Sequence, residues 1–236
     1  MAEPLGNALN RVARRKARTR AALVRAAQAL IAAGRSNVPI LELTQAADVG
    51  MGSFYNHFGT REELYAAAVA DALDRHGALL DQVGSGLDDP AEVFALSFRL
   101  TGRLHRHNPA LSKVLLSAGV PQAGADSALT PRARRDIDAA VRAGRFRAPD
   151  AELALIVVSG AALCLGRFLH DRPDRDDAAA ADQVTEDLLR MFGLAAEEAR
   201  LISRRSLPEV DLADPGPDRA PWAGRGRLRP PSSESG

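Results

Sequence analysis

Ser53 and Asn56 stand three residues apart within ILELTQAADVGMGSFYNHFGTREEL, the segment from Ile40 to Leu64. On a helix that spacing places both on one side, beside Met51 and Gly52 at the exposed N-terminal end. From there, small polar side chains and a close backbone can reach the base edges of a DNA groove. Tyr55 and His57 flank this side, and both can donate hydrogen bonds to phosphate oxygens. Arg61 and the free amides of the helix that opens at Thr60 can do the same.

Three elements must hold these residues in place. A short helix from about Ile40 to Ala47 sets Ile40, Leu43 and Ala47 on one side. After a break over 48–51, a second short helix runs from about Gly52 to His57. Phe54 and Phe58, four apart, share a face that can be buried with Leu43, Ala47, Val49 and Leu64 under a preceding helix from about Arg14 to Ala33. Thr60 followed by Glu63 forms a capping box and opens a long helix to about Val83. Two short helices across a tight turn have the dimensions of a helix-turn-helix, whose second helix lies in the major groove. An ordinary αα-corner has the same outline, but the basic run before it favours DNA. Arg11, Arg14, Arg15, Lys16, Arg18, Arg20 and Arg25 come with no acid among them.

The other 170 or so residues read as helices with clear punctuation and no period-2 alternation. Asp89-Pro90, Thr130-Pro131 and Pro149-Asp150 are start signals, for helices ending near His107, Gly144 and His170. An amphipathic helix follows from about Asp177 to Phe192, and a last one covers Ala195 to Arg205. The expected fold is all-α. The expected divisions are a flexible basic arm at 1–13, a helix-turn-helix domain at 14–65, a helical effector-binding and dimerisation domain at 66–206, and a disordered tail at 207–236, where Pro, Gly and Ser dominate.

Composition narrows the function. With 236 residues, 46% hydrophobic and 26% charged, the chain can bury a sizeable core, and 4% aromatics disfavours a β-sandwich. The net charge of +1 gives no global pull toward a polyanion. Residues 1–65, however, hold nine Lys and Arg against five Asp and Glu. Cys164 alone excludes an internal disulfide and a multi-cysteine zinc site, and in its apolar run it reads as a small buried hydrophobe. His105 and His107, two apart, make a poor metal pair. The N-terminus shows no secretory signal, and Leu153–Leu165 falls short of a membrane span. A cytoplasmic protein without membrane attachment, metal or cofactor is expected.

Val49-Gly50-Met51-Gly52-Ser53-Phe54-Tyr55-Asn56-His57-Phe58, followed by Arg61-Glu62-Glu63-Leu64, resembles the signature of TetR-family transcriptional regulators over about residues 14–70. Members are typically homodimeric repressors. The resemblance implies a three-helix DNA-binding domain, a linking fourth helix and a variable body that binds a small-molecule effector. By position, Met51, Gly52, Ser53 and Asn56 take the base-reading role, and Tyr55, His57, Thr60 and Arg61 the phosphate contacts. Three departures stand out. Pro39 replaces a capping Thr, Asp48 sits where Gly is usual in the turn, and Gly50 replaces a capping Ser.

The resemblance also places a homodimer interface on about 151–170 and 177–192, and an effector pocket among the middle helices. Candidates for the pocket are Phe94, Phe98, Leu115, Phe146, Leu163 and Phe168, with Arg99, His105 and Arg167 as polar anchors. A double-stranded operator with an inverted repeat about 34 Å from half-site to half-site is the implied partner. Effector release would work through the linking helix, with a coupling of roughly 1 to 3 kcal/mol. A DNA-binding activator stays open, as does a helical ligand-binding protein or enzyme with a vestigial helix-turn-helix. No phosphate-cradling loop, nucleophile motif or spaced metal ligands favour the enzyme.

Overall fold

A computed structural model describes residues 4–117 and 129–210, and among them every regular element is a helix. The order is α1 (Pro4–Ala32), α2 (Ile40–Ala46), α3 (Met51–Tyr55), α4 (Arg61–Gly84), α5 (Pro90–His107), α6 (Pro109–Ser117), α7 (Leu129–Arg142), α8 (Ala151–Asp171), α9 (Asp177–Met191) and α10 (Ala196–Ser203). Most of the Gly/Pro/Ser-rich loop before Leu129, and the tail from 211, fall outside the described residues.

α1 begins ten residues before the expected start, so 4–13, expected as an arm, continue the helix. Propensity accounts for this, since the stretch contains Ala, Leu and Arg and no Gly or Pro after Gly6. Leu23, Val24, Ala27, Leu30 and Ile31 recur on one face of α1 and are buried. Gly34, at φ +73°, ends the helix, with the Arg35 amide donating to the Leu30 carbonyl at 2.8 Å.

One core gathers α1 through α4. It contains Leu23, Leu43, Phe54, Phe58, Leu64 and Ala68, and also takes in Leu104 of α5 and Val114 and Leu115 of α6. The reading head is therefore welded to the body through α6. A second core lies among α5, α7, α8, α9 and α10, around Phe94, Phe98, Phe146 and Phe192. The Phe146 and Phe192 rings stack at 4.6 Å, and Phe94 meets both edge-on. A smaller cluster joins Leu80, Leu96 and Leu100, and Leu207 and Val210 pack against it. Residues 207–210, expected in a disordered tail, are ordered, because these two apolar side chains have a surface to cover.

Two expectations about α8 change. Its 21 residues are long and apolar enough, by length and composition alone, to cross a membrane, because the turns flanking Leu153–Leu165 add length with few charges, although a buried core helix meets the same criterion. Its buried side, with Ala154, Leu155, Val158, Leu165 and Leu169, packs into the body core. Cys164 is exposed, not buried. It shares the outer face with Leu153, Ile156, Val157 and Phe168, so its apolar neighbours in sequence form a surface stripe.

Candidate nucleic-acid interface and effector cleft

The head turns its candidate base-facing residues outward because its aromatic residues are fixed from behind. Phe54 is wholly buried, and its ring lies 6.1 Å from that of Phe58. The face of α3 opposite Phe54 is thereby turned outward. Met51, Gly52, Tyr55 and Asn56 are exposed there, with Ser53 and His57 partly so. α3 spans only Met51–Tyr55, with Asn56 as its C-cap and His57 in the turn beyond, so the element is shorter than expected. In the turn between α2 and α3, Asp48 adopts φ +52°, the left-handed conformation that position demands. Neither Pro39 nor Gly50 gives a side-chain cap. Each helix start is held by backbone alone, as with the Glu42 amide on the Pro39 carbonyl at 3.0 Å.

Thr60 caps α4 by accepting from the Glu63 amide at 3.1 Å, and the Glu63 carboxylate accepts from the Gly59 amide at 2.7 Å. Arg61 is held within the protein. It donates to Asn37 Oδ1 at 2.6 Å and pairs with Glu62 at 2.9 Å, so it must exchange partners before it can meet a phosphate.

α1 contributes more than a buried face. Arg20 lies over the Phe58 ring at 5.2 Å. The His57 pKa is lowered by burial and then by Lys16 and Arg20, so at neutral pH the ring is uncharged, a donor set in a positive field. Arg11, Arg14, Arg15, Lys16, Arg18 and Arg20 are all exposed. This surface has the charge and the donors for a polyanionic backbone and small polar groups at its centre for base edges.

In the body, a cavity of about 310 Å³ opens between α4, α5 and α7. Its lining is Leu80, Asp81, Gly84, Ser85, Val93, Ser97, Arg135 and Asp136. Arg135 donates to Asp81 at 2.7 Å and to Asp136 at 2.9 Å, while Arg132 holds the other Asp81 oxygen at 3.0 Å. Burial pushes the Asp81 carboxyl up, but the two guanidiniums outweigh it and hold the group below its ordinary value. Asp136 is the reverse. Its deeper burial outweighs Arg135 and raises its pKa. The cleft thus offers carboxylate acceptors and guanidinium donors of opposite charge between the apolar walls of Leu80 and Val93.

None of the nine residues put forward for a pocket lines this cavity. Phe94, Phe98 and Phe146 are closed into the aromatic core, Leu115 belongs to the core of the head, and Leu163 is partly exposed. Arg99, buried, grips Asp182 at 2.7 Å and the Arg205 carbonyl at 2.7 Å. His105 is bonded to Ser112, while Arg167 and Phe168 lie on the outer face of α8. The signal that sequence reading passed over was Arg132, Arg135 and Asp136 on α7, a charged face that only its packing against Asp81 brings to the wall of a cavity.

Comparison with known proteins agrees with both halves. Residues 22–68 match the family described as bacterial regulatory proteins, tetR family, and residues 89–205 match the tetracyclin repressor-like C-terminal domain. No curated protein matches the chain. Among solved structures, RolR in complex with resorcinol is 37% identical, over 84% of this chain and 98% of that one, with a TM-score of 0.61. RolR without ligand is 38% identical over 80% and 98%, also at 0.61. FadR from Bacillus subtilis in complex with stearoyl-CoA shares the fold at 14% identity, covering 74% and 98% with a TM-score of 0.57.

Proposed function

Because this chain belongs to the TetR family of transcriptional regulators, we propose that it is a homodimeric repressor which grips an inverted-repeat operator through α3 and releases it when a small phenol enters the α4–α5–α7 cleft. The observation that carries the reading is the pairing of an outward polar face on α3 with a charged cleft in the body, the two connected by α4, whose Leu64 and Ala68 lie in the core of the head and whose Leu80 and Asp81 line the cleft. In this reading Met51, Gly52, Ser53 and Asn56 face base edges, and Tyr55, His57, Thr60 and Arg61 face phosphates, with the α1 cations flanking them. The protein acts by binding, as family members generally do, and not as an enzyme. It works in the cytoplasm, where its DNA is.

The outer stripe of α8, with Leu153, Ile156, Val157 and Phe168 exposed, supports pairing with a second copy, α9 lying beside it. The effector class follows from the cleft. Its charges already neutralise one another, so it favours a neutral molecule with separated hydroxyls, one donating to a carboxylate and one accepting from a guanidinium. That RolR is seen with resorcinol supports the same class.

The test is selection of genomic fragments by the purified protein at physiological salt, then footprinting with and without resorcinol. A protected inverted repeat that resorcinol uncovers is the expected result, and Asp136→Asn should abolish the uncovering while leaving the footprint. Ile156→Glu should give monomers by sedimentation and lose the footprint. A single unrepeated protected site, or a footprint at which resorcinol and related phenols have no effect, would count against the dimer or the effector respectively.

A further inference from the structure

We propose that a polar spine, His76–Thr101 followed by His105–Ser112–His170, transmits the state of the cleft to the reading head; this rests on the cleft reading above. His76, His105 and Ser112 are buried, and Thr101 and His170 half-buried. The spine starts at the cleft wall. Ser97 lines the cavity, and its carbonyl accepts from the Thr101 hydroxyl at 2.8 Å. With its proton so used, Thr101 Oγ1 accepts from His76 Nε2–H at 2.9 Å. His76 lies one turn from Leu80, another lining residue, so α4 and α5 are clamped directly beneath the cavity.

One turn further along α5, His105 Nδ1 lies 2.6 Å from Ser112 Oγ, and that oxygen lies 2.8 Å from His170 Nε2 of α8. Gly166 seals the His105 ring, since a Cβ there would stand 2.5 Å from it. The ring cannot swing without displacing α8. Beyond Ser112, α6 is fastened to the head. Lys113 Nζ donates to the Ala32 carbonyl at the end of α1 at 3.0 Å, and Val114 and Leu115 lie in the head's own core.

Two features distinguish the spine from plain packing. The Ser112 hydroxyl has one proton and two ring nitrogens beside it, so the trio has two hydrogen-bond directions, the discrete alternative that coupling between sites requires. Among the described residues, His76 Nδ1 and His105 Nε2 are also buried without a hydrogen-bond partner, a cost that an apolar seam would not carry. A ligand that parts α4 from α5 pulls on Thr101 first, then on Ser112, and so on α6 and α1.

The experiment uses the full chain, with Ser112→Ala and Thr101→Val, an operator fragment, and resorcinol as probe. Calorimetry should give resorcinol affinity within about twofold of the parent, and operator affinity without ligand should also be nearly unchanged. The resorcinol-induced loss of operator affinity should shrink at least fivefold, the lower end of ordinary coupling. Ser112→Thr, which keeps the hydroxyl, should restore it. Variants that fold, bind resorcinol and retain full coupling overturn the spine. If the parent does not bind resorcinol, the effector reading fails and the spine is judged by hydrogen exchange. Asp136→Asn should then change amide exchange around Ala32 in the parent but not in Ser112→Ala. An unchanged effect in that background, or none in the parent, overturns it.

Discussion

The reading head and the body are both helical and share Leu104, Val114 and Leu115, yet they keep their polar side chains in opposite places. Through Gly59 the head buries one polar side chain among those described, Thr44, whose hydroxyl is satisfied within its own helix by the Leu41 carbonyl. Its Tyr55 is 59% exposed. From α4 onward His76, Arg99, His105, Ser112, Asp136 and Thr185 are all buried. A surface that must exchange water for a nucleic acid keeps its donors free. A body that must respond to a small molecule keeps polar groups inside, where low dielectric makes each partner count.

The contrast can be broken most forcefully in the head. Phe54→Ala leaves a cavity where a wholly buried ring stood and should cost about 3 to 5 kcal/mol, with loss of helical signal in a denaturant titration and loss of operator binding. Survival of the head with normal binding would show that the shared core, not Phe54, holds α3.

Acid should find the body first. His76 and His105 have pKa values lowered to about 4, by burial above all, so the unfolded chain binds protons that the folded chain refuses. Their contribution is complete above about pH 6.5 and falls as pH drops toward 4, by up to ~1.4 kcal/mol per unit for each ring. Raised Asp136 opposes this in part near the lower end. Unfolding free energies measured between pH 7 and 5 should show that slope, to which the lowered His57 and His170 add, and His76→Gln should reduce it. A flat profile would mean that the rings are not buried in solution.

Asn56→Ala sharpens the contrast by separating function from stability. An exposed position should change thermal stability by less than about 0.5 kcal/mol, while relaxing base preference at one operator position by about 1 to 3 kcal/mol in competition assays. Equal weakening across all sequences would instead make Asn56 a backbone contact. The smallest expected effect is Gly50→Ser. The site has room for a side chain, an ordinary φ of −71° and no cap, so a serine hydroxyl should add a few tenths of a kcal/mol. A loss of operator affinity at unchanged stability would mean that Gly50 serves close approach to DNA.

The head was largely legible because its determinants are local. Four-residue spacing of Phe54 and Phe58, the Thr60–Glu63 cap, the left-handed Asp48 and the stop at Gly34 each act within one or two helical turns. The boundaries were less so. α1 ran on to Pro4 because nothing in 7–13 breaks a helix, and α3 proved shorter because Asn56 and His57 belong to the turn that Phe58 anchors.

That the chain is a succession of helices, where most of them start, and that one short segment resembles a helix-turn-helix were all legible from neighbouring residues, since helical period and capping are local properties. What each helix face meets depends on contacts between residues far apart in the chain. Arg99 reaches Asp182 and Arg205, Arg135 reaches Asp81, and Ser112 reaches His170 across 58 residues. Period marks a face as apolar or charged, but not whether it closes on its own core, as with Phe94, or lies on the surface, as with Cys164. The cleft is a product of that packing, because its charges come from helices about fifty residues apart and face one cavity only when α7 lies across α4.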